Sequence, residues 1–236
     1  MRILVVNDDG ISAPGIFALA EAAARFGEVW VVAPEHQCSC MSQHLTIFKD
    51  MALKEADFPV PVRAAWSLGG TPADCVKTAL AGILDFRPDY VFSGVNDGWN
   101  TGFDIAYSGT IGACLEAVMN GVPAMAFSAA GKDDLTAAAE HMPRIMEELL
   151  ARPLPAGEIW NVNFPANAPK GILRERTIAP MQLYSGFYRL GTHPAGHKIL
   201  TESAVPIGPG LAPAGSDVAA VLDGYISIGK IKSPLM

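Results

Sequence analysis

The chain has little of what marks several common protein classes. Only four of its 236 residues are cysteines, too few for a disulfide scaffold, so reduced thiols and a cytoplasmic location are expected. Only 17% of the residues are charged and the formal net charge is −7, so no basic excess exists to neutralise a nucleic-acid polymer. No apolar run approaches the roughly 20 residues of a membrane span, and the first residues lack the pattern of a secretory leader. Half of the residues are hydrophobic, which indicates a folded globular protein.

A buried strand followed by two acidic residues opens the chain. The run from Ile3 to Val6 is entirely aliphatic, as in a strand covered on both faces of a parallel sheet. Asp8 and Asp9 follow it, at the end of the strand where ligand clefts form in open α/β sheets. Adjacent carboxylates repel each other unless a cation lies between them, and oxygen ligands suit Mg²⁺ or Mn²⁺. A metal site and a structural turn capped by aspartates both account for this pattern.

Strand and helix patterns alternate over the first 165 residues. Aliphatic runs predict further strands, at 28–34, 90–93, 122–128 and 159–164. Capped or amphipathic segments predict helices, at 16–26, 72–84, 111–119 and 135–150. We expect Pro143 to kink or break the last of these helices, and the proline-containing segment 47–68 to form edge strands or a meander. The alternation predicts a Rossmann-like, doubly wound, mostly parallel sheet in a three-layer α/β/α arrangement.

The composition changes after Pro165, where proline and glycine become frequent. Residues 178–190 and 198–204 are typical of an antiparallel β-hairpin. A short helix at 216–222 and a closing strand at 225–231 follow. We therefore divide the chain into an α/β core, 1–165, which is expected to be catalytic, and a C-terminal extension, 166–236, which is expected to complete the core and to form a hairpin for packing or oligomer contact.

Three polar segments after predicted strands carry candidate ligands. The first, 35–46, contains hydroxyl and imidazole groups: Ser39, Ser42, His36 and His44. For either histidine a solvated loop position is the simpler interpretation. The second segment, 94–102, offers the amide oxygens of Asn96 and Asn100.

The third segment comprises Ser108, Gly109 and Thr110, directly before a predicted helix. Its amides and the helix dipole favour an anion, so it is a plausible phosphate seat. It lacks the Gly-Lys-Ser/Thr signature of a P-loop, and Gly10 to Gly15 lack the glycine fingerprint of dinucleotide-binding folds.

Together these motifs resemble the SurE family of stationary-phase survival proteins, which are metal-dependent nucleoside monophosphate phosphatases. The matching motifs occur in order along nearly the whole chain: NDDG (7–10), VAP (32–34), GTP (70–72), SGVN (93–96), YSGT (107–110), NVN (161–163) and GYIS (224–227). The resemblance implies hydrolysis of nucleoside monophosphates to nucleoside and phosphate, with 5′-nucleotidase activity and also 3′-nucleotidase and exopolyphosphatase activities. It implies a homodimer or homotetramer. From the net charge and the lack of a long apolar run, we expect no nucleic-acid polymer and no membrane as partner.

The resemblance also implies roles for individual residues. One divalent ion per subunit, Mg²⁺ or Mn²⁺, would be held by Asp8, Asp9, Ser39 and Asn96. Catalysis would depend on Asp8, Asp9 and Asn96, and phosphate or substrate binding on Asn7, Ser39, Ser42, Asn100, Ser108, Gly109 and Thr110. The sequence departs from the family around Ser39, where Cys38 and Cys40 stand in place of the usual basic residue and glycine.

Other functions stay open at this stage. A non-catalytic protein that binds nucleotides or phosphate would keep the same site without turnover. A Mg²⁺-dependent phosphoacceptor domain of the receiver type would use Asp97 as acceptor and Lys132 as its basic partner, although receiver domains are shorter. Phosphatases with a nucleophilic aspartate usually have D-x-D rather than adjacent aspartates.

Overall fold

The computed structural model describes residues 1–130, 134–186 and 188–235, in which thirteen strands and five α-helices are found. The strands are β1 (Arg2–Val6), β2 (Glu28–Pro34), β3 (Leu53–Glu55), β4 (Ala64–Leu68), β5 (Tyr90–Asp97), β6 (Ala124–Ala129), β7 (Glu158–Phe164), β8 (Ile172–Arg176), β9 (Tyr184–Ser185), β10 (Tyr188–Thr192), β11 (Lys198–Glu202), β12 (Val205–Pro206) and β13 (Ile226–Lys232). The helices are α1 (Pro14–Ala23), α2 (Pro72–Thr78), α3 (Gly109–Met119), α4 (Thr136–Leu150) and α5 (Asp217–Leu222).

A nine-stranded central sheet in this described part has the order β3-β4-β2-β1-β5-β6-β7-β13-β8. The six strands from β4 to β7 in that order are parallel, and β13 joins β7 antiparallel. Strand order reverses between β1 and β5, which pair in parallel from Ile3 with Tyr90 to Val6 with Ser93. Ligand clefts of doubly wound sheets form at this reversal, beyond the carboxyl ends of the two strands. The predicted doubly wound α/β fold is confirmed.

Two hydrophobic layers cover the sheet, one on each face. Successive residues of β1 alternate between them: Ile3 and Val5 pack with α1 and α4, whereas Leu4 and Val6 pack with α2 and α3. This alternation is the period of two of an extended strand. Because both faces are covered, the strand reads as a continuous aliphatic run, which explains why it was recognisable from the sequence.

Several predicted elements differ from the structure in their limits. Helix α2 ends at Thr78, and a wider helical turn, Ala79–Ile83, completes the segment predicted as one helix. Helix α4 continues through Pro143, so the prediction of a break at this residue is wrong. Of the two strands within 47–68, β3 lies at the sheet edge, whereas β4 lies between β3 and β2. Strand β5 runs to Asp97, four residues beyond the predicted end.

The C-terminal residues contribute both to the sheet and to a separate arm. Strands β8 and β13 are parallel neighbours in the central sheet. The predicted antiparallel hairpin is present, with β10 paired to β11 from Tyr188 with Glu202 to Thr192 with Lys198. The short pair β9 and β12 lies at its base. Residues 178–183, included in the predicted hairpin, are not extended strand.

Candidate active site

A cleft of about 190 Å³ lies at the carboxyl edge of β1 and β5. It brings together residues from five parts of the chain: the turn after β1, the loop after β2, the end of β5 with the segment that follows it, the start of α3, and β9. Its lining residues are Asp8, Ser39, Cys40, Asn96, Asp97, Gly98, Trp99, Asn100, Asp104, Tyr107, Ser108 and Tyr184. Five predicted site residues (Asp8, Ser39, Asn96, Asn100 and Ser108) therefore share one cleft.

Asp8 is the buried acid of this cleft, with only 3% of its surface exposed. Its Oδ1 accepts a hydrogen bond of 2.6 Å from the hydroxyl of Thr110. Burial raises the pKa of the Asp8 carboxyl from 3.8 to about 6; the Thr110 hydrogen bond opposes the rise and the charge of Asp9 adds to it. An ionised Asp8 is thus electrostatically costly, and a bound cation would remove that cost.

Asp9 lies beside the cleft and contacts the ends of two loops. Its Oδ2 accepts a hydrogen bond of 3.0 Å from the amide of Asp97, at the end of β5. Its Oδ1 lies 3.5 Å from Nε2 of Gln37, which also donates to the hydroxyl of Ser39 at 3.1 Å. Gln37 therefore links Asp9 with Ser39, two of the proposed ligands that are 30 residues apart in the chain.

The first turn of α3 approaches Asp8 closely. Ser108 caps the helix, with its hydroxyl accepting a hydrogen bond of 3.1 Å from the amide of Ile111. A Cβ on Gly109 would lie 2.9 Å from the Cβ of Asp8 and 3.1 Å from its Oδ2. Any side chain at position 109 would therefore displace the carboxylate. The positive end of the helix dipole faces the same carboxylate, an arrangement that also suits a phosphate group.

Two asparagines line the cleft with their amides already oriented by neighbouring groups. Asn96 donates from Nδ2 to the carbonyl of Gly98 at 2.7 Å. Asn100 donates from Nδ2 to the hydroxyl of Ser128 at 2.8 Å. Its main-chain amide donates to Oδ1 of Asn163, and its carbonyl accepts from Nδ2 of the same residue. These bonds use the amide nitrogens as donors, so the side-chain oxygens are oriented as acceptors.

Two further predicted substrate residues bind main chain rather than lining the cleft. Asn7 is fully buried, and its side chain closes the turn after β1 by bonding both the carbonyl and the amide of Gly10, at 2.8 and 3.2 Å. Ser42 donates to the carbonyl of Ala106 at 2.6 Å and thereby fastens the 35–46 loop beside Tyr107. Neither residue lines the Asp8 cleft; each holds backbone next to it.

A larger neighbouring cleft of about 370 Å³ lies on the other side of Asp9. Its lining includes His36, Gln37, Asp97 and the start of α1. His44, the second candidate imidazole, is exposed, and its carbonyl accepts a hydrogen bond from the hydroxyl of Thr71. Neither histidine lines the cleft that contains Asp8.

The aromatic residues that line the Asp8 cleft were not predicted from the sequence. Trp99 and Tyr107 belong to segments that were recognised, but their rings were not assigned to the site. Tyr184 comes from the C-terminal arm, and Asp104 comes from a 3₁₀-helix, Gly102–Tyr107, that was not predicted. No local pattern indicates these contacts, because Tyr184 is 80 residues beyond its hydrogen-bond partner Asp104.

The donor set fits a hard divalent cation. Asp8 and Asp9 supply carboxylates, while Ser39 and Asn96 supply a hydroxyl and an amide oxygen, and Mg²⁺ and Mn²⁺ prefer such ligands. Within the described ranges no group of three or more His, Cys, Asp and Glu is arranged for a metal. Such a group would be required by a zinc site but not by this mixed oxygen set.

The receiver alternative finds limited support in the geometry. Asp97 is exposed at the end of β5 and lines both clefts. Lys132 lies outside the described residues. The Ser39 loop and the capped start of α3, which have no part in that alternative, both contact the site.

The architecture and the cleft define a doubly wound α/β protein with a carboxylate site at its strand-order reversal. The sequence profile described as "Survival protein SurE" matches residues 3–183. A protein of Moorella thermoacetica named "5'-nucleotidase SurE" is 46% identical over 72% of this chain and 66% of its own length. A protein of the same name from Pelotomaculum thermopropionicum is 36% identical over 97% of this chain and 88% of its own length. This chain belongs to the SurE family.

A solved structure agrees with this assignment over the full length. The structure titled "Crystal Structure of Sure Protein from Aquifex aeolicus" covers 100% of this chain and 95% of its own, with a TM-score of 0.84 and 34% identity. Among the described residues, none of the helices has the length and apolarity needed to cross a membrane.

Proposed function

We propose that this protein is a metal-dependent phosphatase that hydrolyses nucleoside monophosphates to nucleoside and phosphate. The observation that carries the proposal is the buried Asp8 carboxylate, which faces the start of α3 in a cleft shared with Ser39 and Asn96. Membership of a family whose curated relatives are named 5'-nucleotidase supports this assignment. The relatives' name supports 5′-monophosphates as substrates, and 3′-monophosphates and short polyphosphates are further predicted substrates.

A divalent ion, Mg²⁺ or Mn²⁺, would be held by Asp8, Asp9, Ser39 and Asn96, one per subunit, where it would polarise the phosphoryl group and position water. Thr110 keeps the Asp8 carboxylate oriented and favours its ionised form through its hydroxyl. Gln37 donates hydrogen bonds to Asp9 and to the hydroxyl of Ser39, and so fixes their relative positions.

The residues at the start of α3 bind the phosphoryl oxygens. The amides of the first turn and the helix dipole favour the negative charge that shifts during phosphoryl transfer. Gly109 allows the closest approach, because it has no side chain between the helix and Asp8. Asn100, which lines the same cleft, orients the substrate with its amide fixed by Ser128. Asn7 and Ser42 act on the substrate through the backbone that they hold.

The test is release of phosphate from a panel of 5′- and 3′-nucleoside monophosphates and short polyphosphates. The protein is first stripped with a chelator and then given Mg²⁺, Mn²⁺ or Ca²⁺ in turn. We expect an added ion to restore turnover and Asp9→Ala to abolish it while circular dichroism stays unchanged. Asp223→Ala, an exposed acidic position after α5, is the matched control. Near wild-type turnover in Asp9→Ala would reject the assigned site.

Binding of nucleotides without phosphate release under any ion would instead favour the non-catalytic alternative. A stoichiometric phosphoenzyme on Asp97 would favour the phosphoacceptor alternative. We further propose that the protein is cytoplasmic and forms a homodimer or homotetramer through its C-terminal hairpin, where Tyr188, Leu190 and Leu200 are exposed.

A further inference from the structure

The Asp8 cleft is too small to enclose a whole nucleotide. Its volume is about 190 Å³, whereas sites that bury a drug-sized ligand have about 300–1,000 Å³. If the phosphate lies beside Asp8 and the start of α3, the rest of the ligand must extend across the rim. Three aromatic residues, Trp99, Tyr107 and Tyr184, line the same cleft as Asp8.

The first two aromatic rings come from the segment between β5 and α3. The indole of Trp99 is fixed by a hydrogen bond of 2.6 Å from Nε1 to the carbonyl of Phe164. The ring of Tyr107 is 52% exposed, so the aromatic surface continues from the cleft onto the outside of the protein. An aromatic side chain that stays half exposed at the edge of a cleft, as Tyr107 does, remains available to contact a ligand.

The third ring is brought to the cleft from the C-terminal arm. Oδ2 of Asp104 accepts hydrogen bonds from the amides of Leu183 and Tyr184, at 2.8 and 3.3 Å. Tyr184 also packs in a small apolar cluster with Trp99 around buried Leu183. The other carboxylate oxygen of Asp104 is buried without a hydrogen-bond partner among the described residues. A buried, half-satisfied carboxylate costs stability, and holding Tyr184 in place is a function that would justify this cost.

We propose that Trp99, Tyr107 and Tyr184 form a stacking subsite for the base of the nucleotide, and that Asp104 is the positioning residue that holds Tyr184 there. The proposal rests on the proposed nucleotidase function and names the part of the substrate that this rim recognises. Aromatic stacking accepts any base, because every base has a π-face. The subsite therefore predicts a preference for nucleotides over other phosphomonoesters, with little discrimination among bases.

The first test compares nucleoside 5′-monophosphates with ribose 5-phosphate, which carries the same phosphate and sugar without a base. Loss of one stacking contact costs about 1–3 kcal/mol, so Tyr184→Ala should lower the ratio of kcat/KM for AMP to that for ribose 5-phosphate by about 5- to 150-fold. Tyr184→Phe keeps the ring and should restore the ratio. An unchanged ratio in Tyr184→Ala would overturn the proposal.

The positioning role is tested at Asp104 with a matched pair of variants. Asp104→Asn keeps an oxygen that accepts from the amides of Leu183 and Tyr184, whereas Asp104→Ala does not. We expect Asp104→Ala to raise KM for AMP with little change in kcat, and Asp104→Asn to remain near wild type. Equal losses in both variants, or a loss in kcat alone, would contradict the positioning role.

A binding measurement separates this inference from the proposed function. Adenosine binding is measured by equilibrium dialysis for the wild type and Tyr184→Ala, without any need for turnover. Weaker adenosine binding in the variant supports the subsite even if the wild type releases no phosphate from any nucleotide, a result that would reject the nucleotidase. Equal binding by the two proteins, or none by either, overturns the subsite even if the wild type is an active nucleotidase.

Discussion

Thr110 donates a hydrogen bond of 2.6 Å to Asp8, and this contact joins the first turn of α3 to the end of β1 across 102 residues of sequence. It directly links the proposed phosphate-binding site at the start of α3 with Asp8, a proposed metal ligand. Because a hydrogen bond to an ionised carboxylate favours its charged form, Thr110 makes Asp8 a better ligand than its burial alone would allow.

Removing this hydroxyl should weaken the metal site. Thr110→Val has nearly the same shape but cannot donate, and hydrogen bonds to charged groups contribute about 1.5–3 kcal/mol. We therefore expect the Mg²⁺ or Mn²⁺ concentration for half-maximal activity to rise by about tenfold or more. Thr110→Ser keeps the donor and should remain within a few-fold of wild type. Identical metal titrations for the Val and Ser variants would show that the bond has no such role.

The burial of Asp8 predicts that the metal-free protein loses stability as the pH rises. Its pKa is raised from 3.8 to about 6, so the folded state prefers the protonated acid, and stability falls as pH rises from about 4 to 6. Above pH 6 the cost reaches at most about 3 kcal/mol. Asp8→Asn removes this titration, so the variant should be the more stable protein at pH 7 in a chelator.

Urea unfolding of the wild type and Asp8→Asn at several pH values measures this difference. The gap between the two unfolding free energies should open between pH 4 and pH 6 and close when a divalent ion is added, since an ion stabilises only the wild type. Parallel stability curves across this pH range would refute the assigned cost.

Glu116 in α3 should support the loop that carries Ser39. It is 3% exposed, and its carboxylate accepts hydrogen bonds of 3.0 Å from Gln43, Lys77 and Asn120. Glu116→Ala removes the acceptor for all three donors and should cost about 1–3 kcal/mol of stability. It should also raise the metal requirement, because Gln43 belongs to the 35–46 loop. Glu147→Ala, exposed on α4, is the control, and equal effects of the two substitutions would contradict this role.

Cys40 occupies a backbone conformation that favours glycine, with φ of 60°. Left-handed backbone costs an L-residue roughly 1–2 kcal/mol, whereas glycine adds about 0.5–1 kcal/mol of unfolded-state entropy. Cys40→Gly should therefore be neutral or stabilise by up to about 1.5 kcal/mol in thermal unfolding. Cys38 is the control, because its φ is not positive and Cys38→Gly should therefore only destabilise the protein. If Cys38→Gly were the more stable of the two variants, backbone strain at Cys40 would be ruled out.

The C-terminal hairpin is predicted to form the oligomer contact. A shortened variant replaces residues 189–201 with Asn-Gly. It keeps the pair of Tyr188 with Glu202 at the base of the hairpin and closes it with a favourable type I′ turn. The shortened protein should have a lower mass by light scattering and unchanged circular dichroism. Lysine at both Leu190 and Leu200, which are exposed apolar positions, should have the same effect. An unchanged mass in both proteins would argue against the hairpin as the contact.

Much of the fold could be predicted because its signals are local. The aliphatic run of β1 and the capping residues of α2 depend on neighbours within a few positions, and Thr71 and Asp74 form the reciprocal capping box that this spacing allows. Asp8 and Asp9 were recognised for the same reason, since they directly follow a strand that is buried on both faces.

The doubly wound class, the acidic turn after β1 and the polar segments that meet it therefore follow from residue patterns that are local in the chain. Which side chains share the cleft depends on contacts between residues that are far apart in the chain. Asn7 and Ser42 bond to main chain instead of lining it, while Tyr184 reaches it through Asp104. Periodicity shows which face of its own strand or helix a residue occupies, whereas contacts between distant residues follow from sheet order and the paths of long loops.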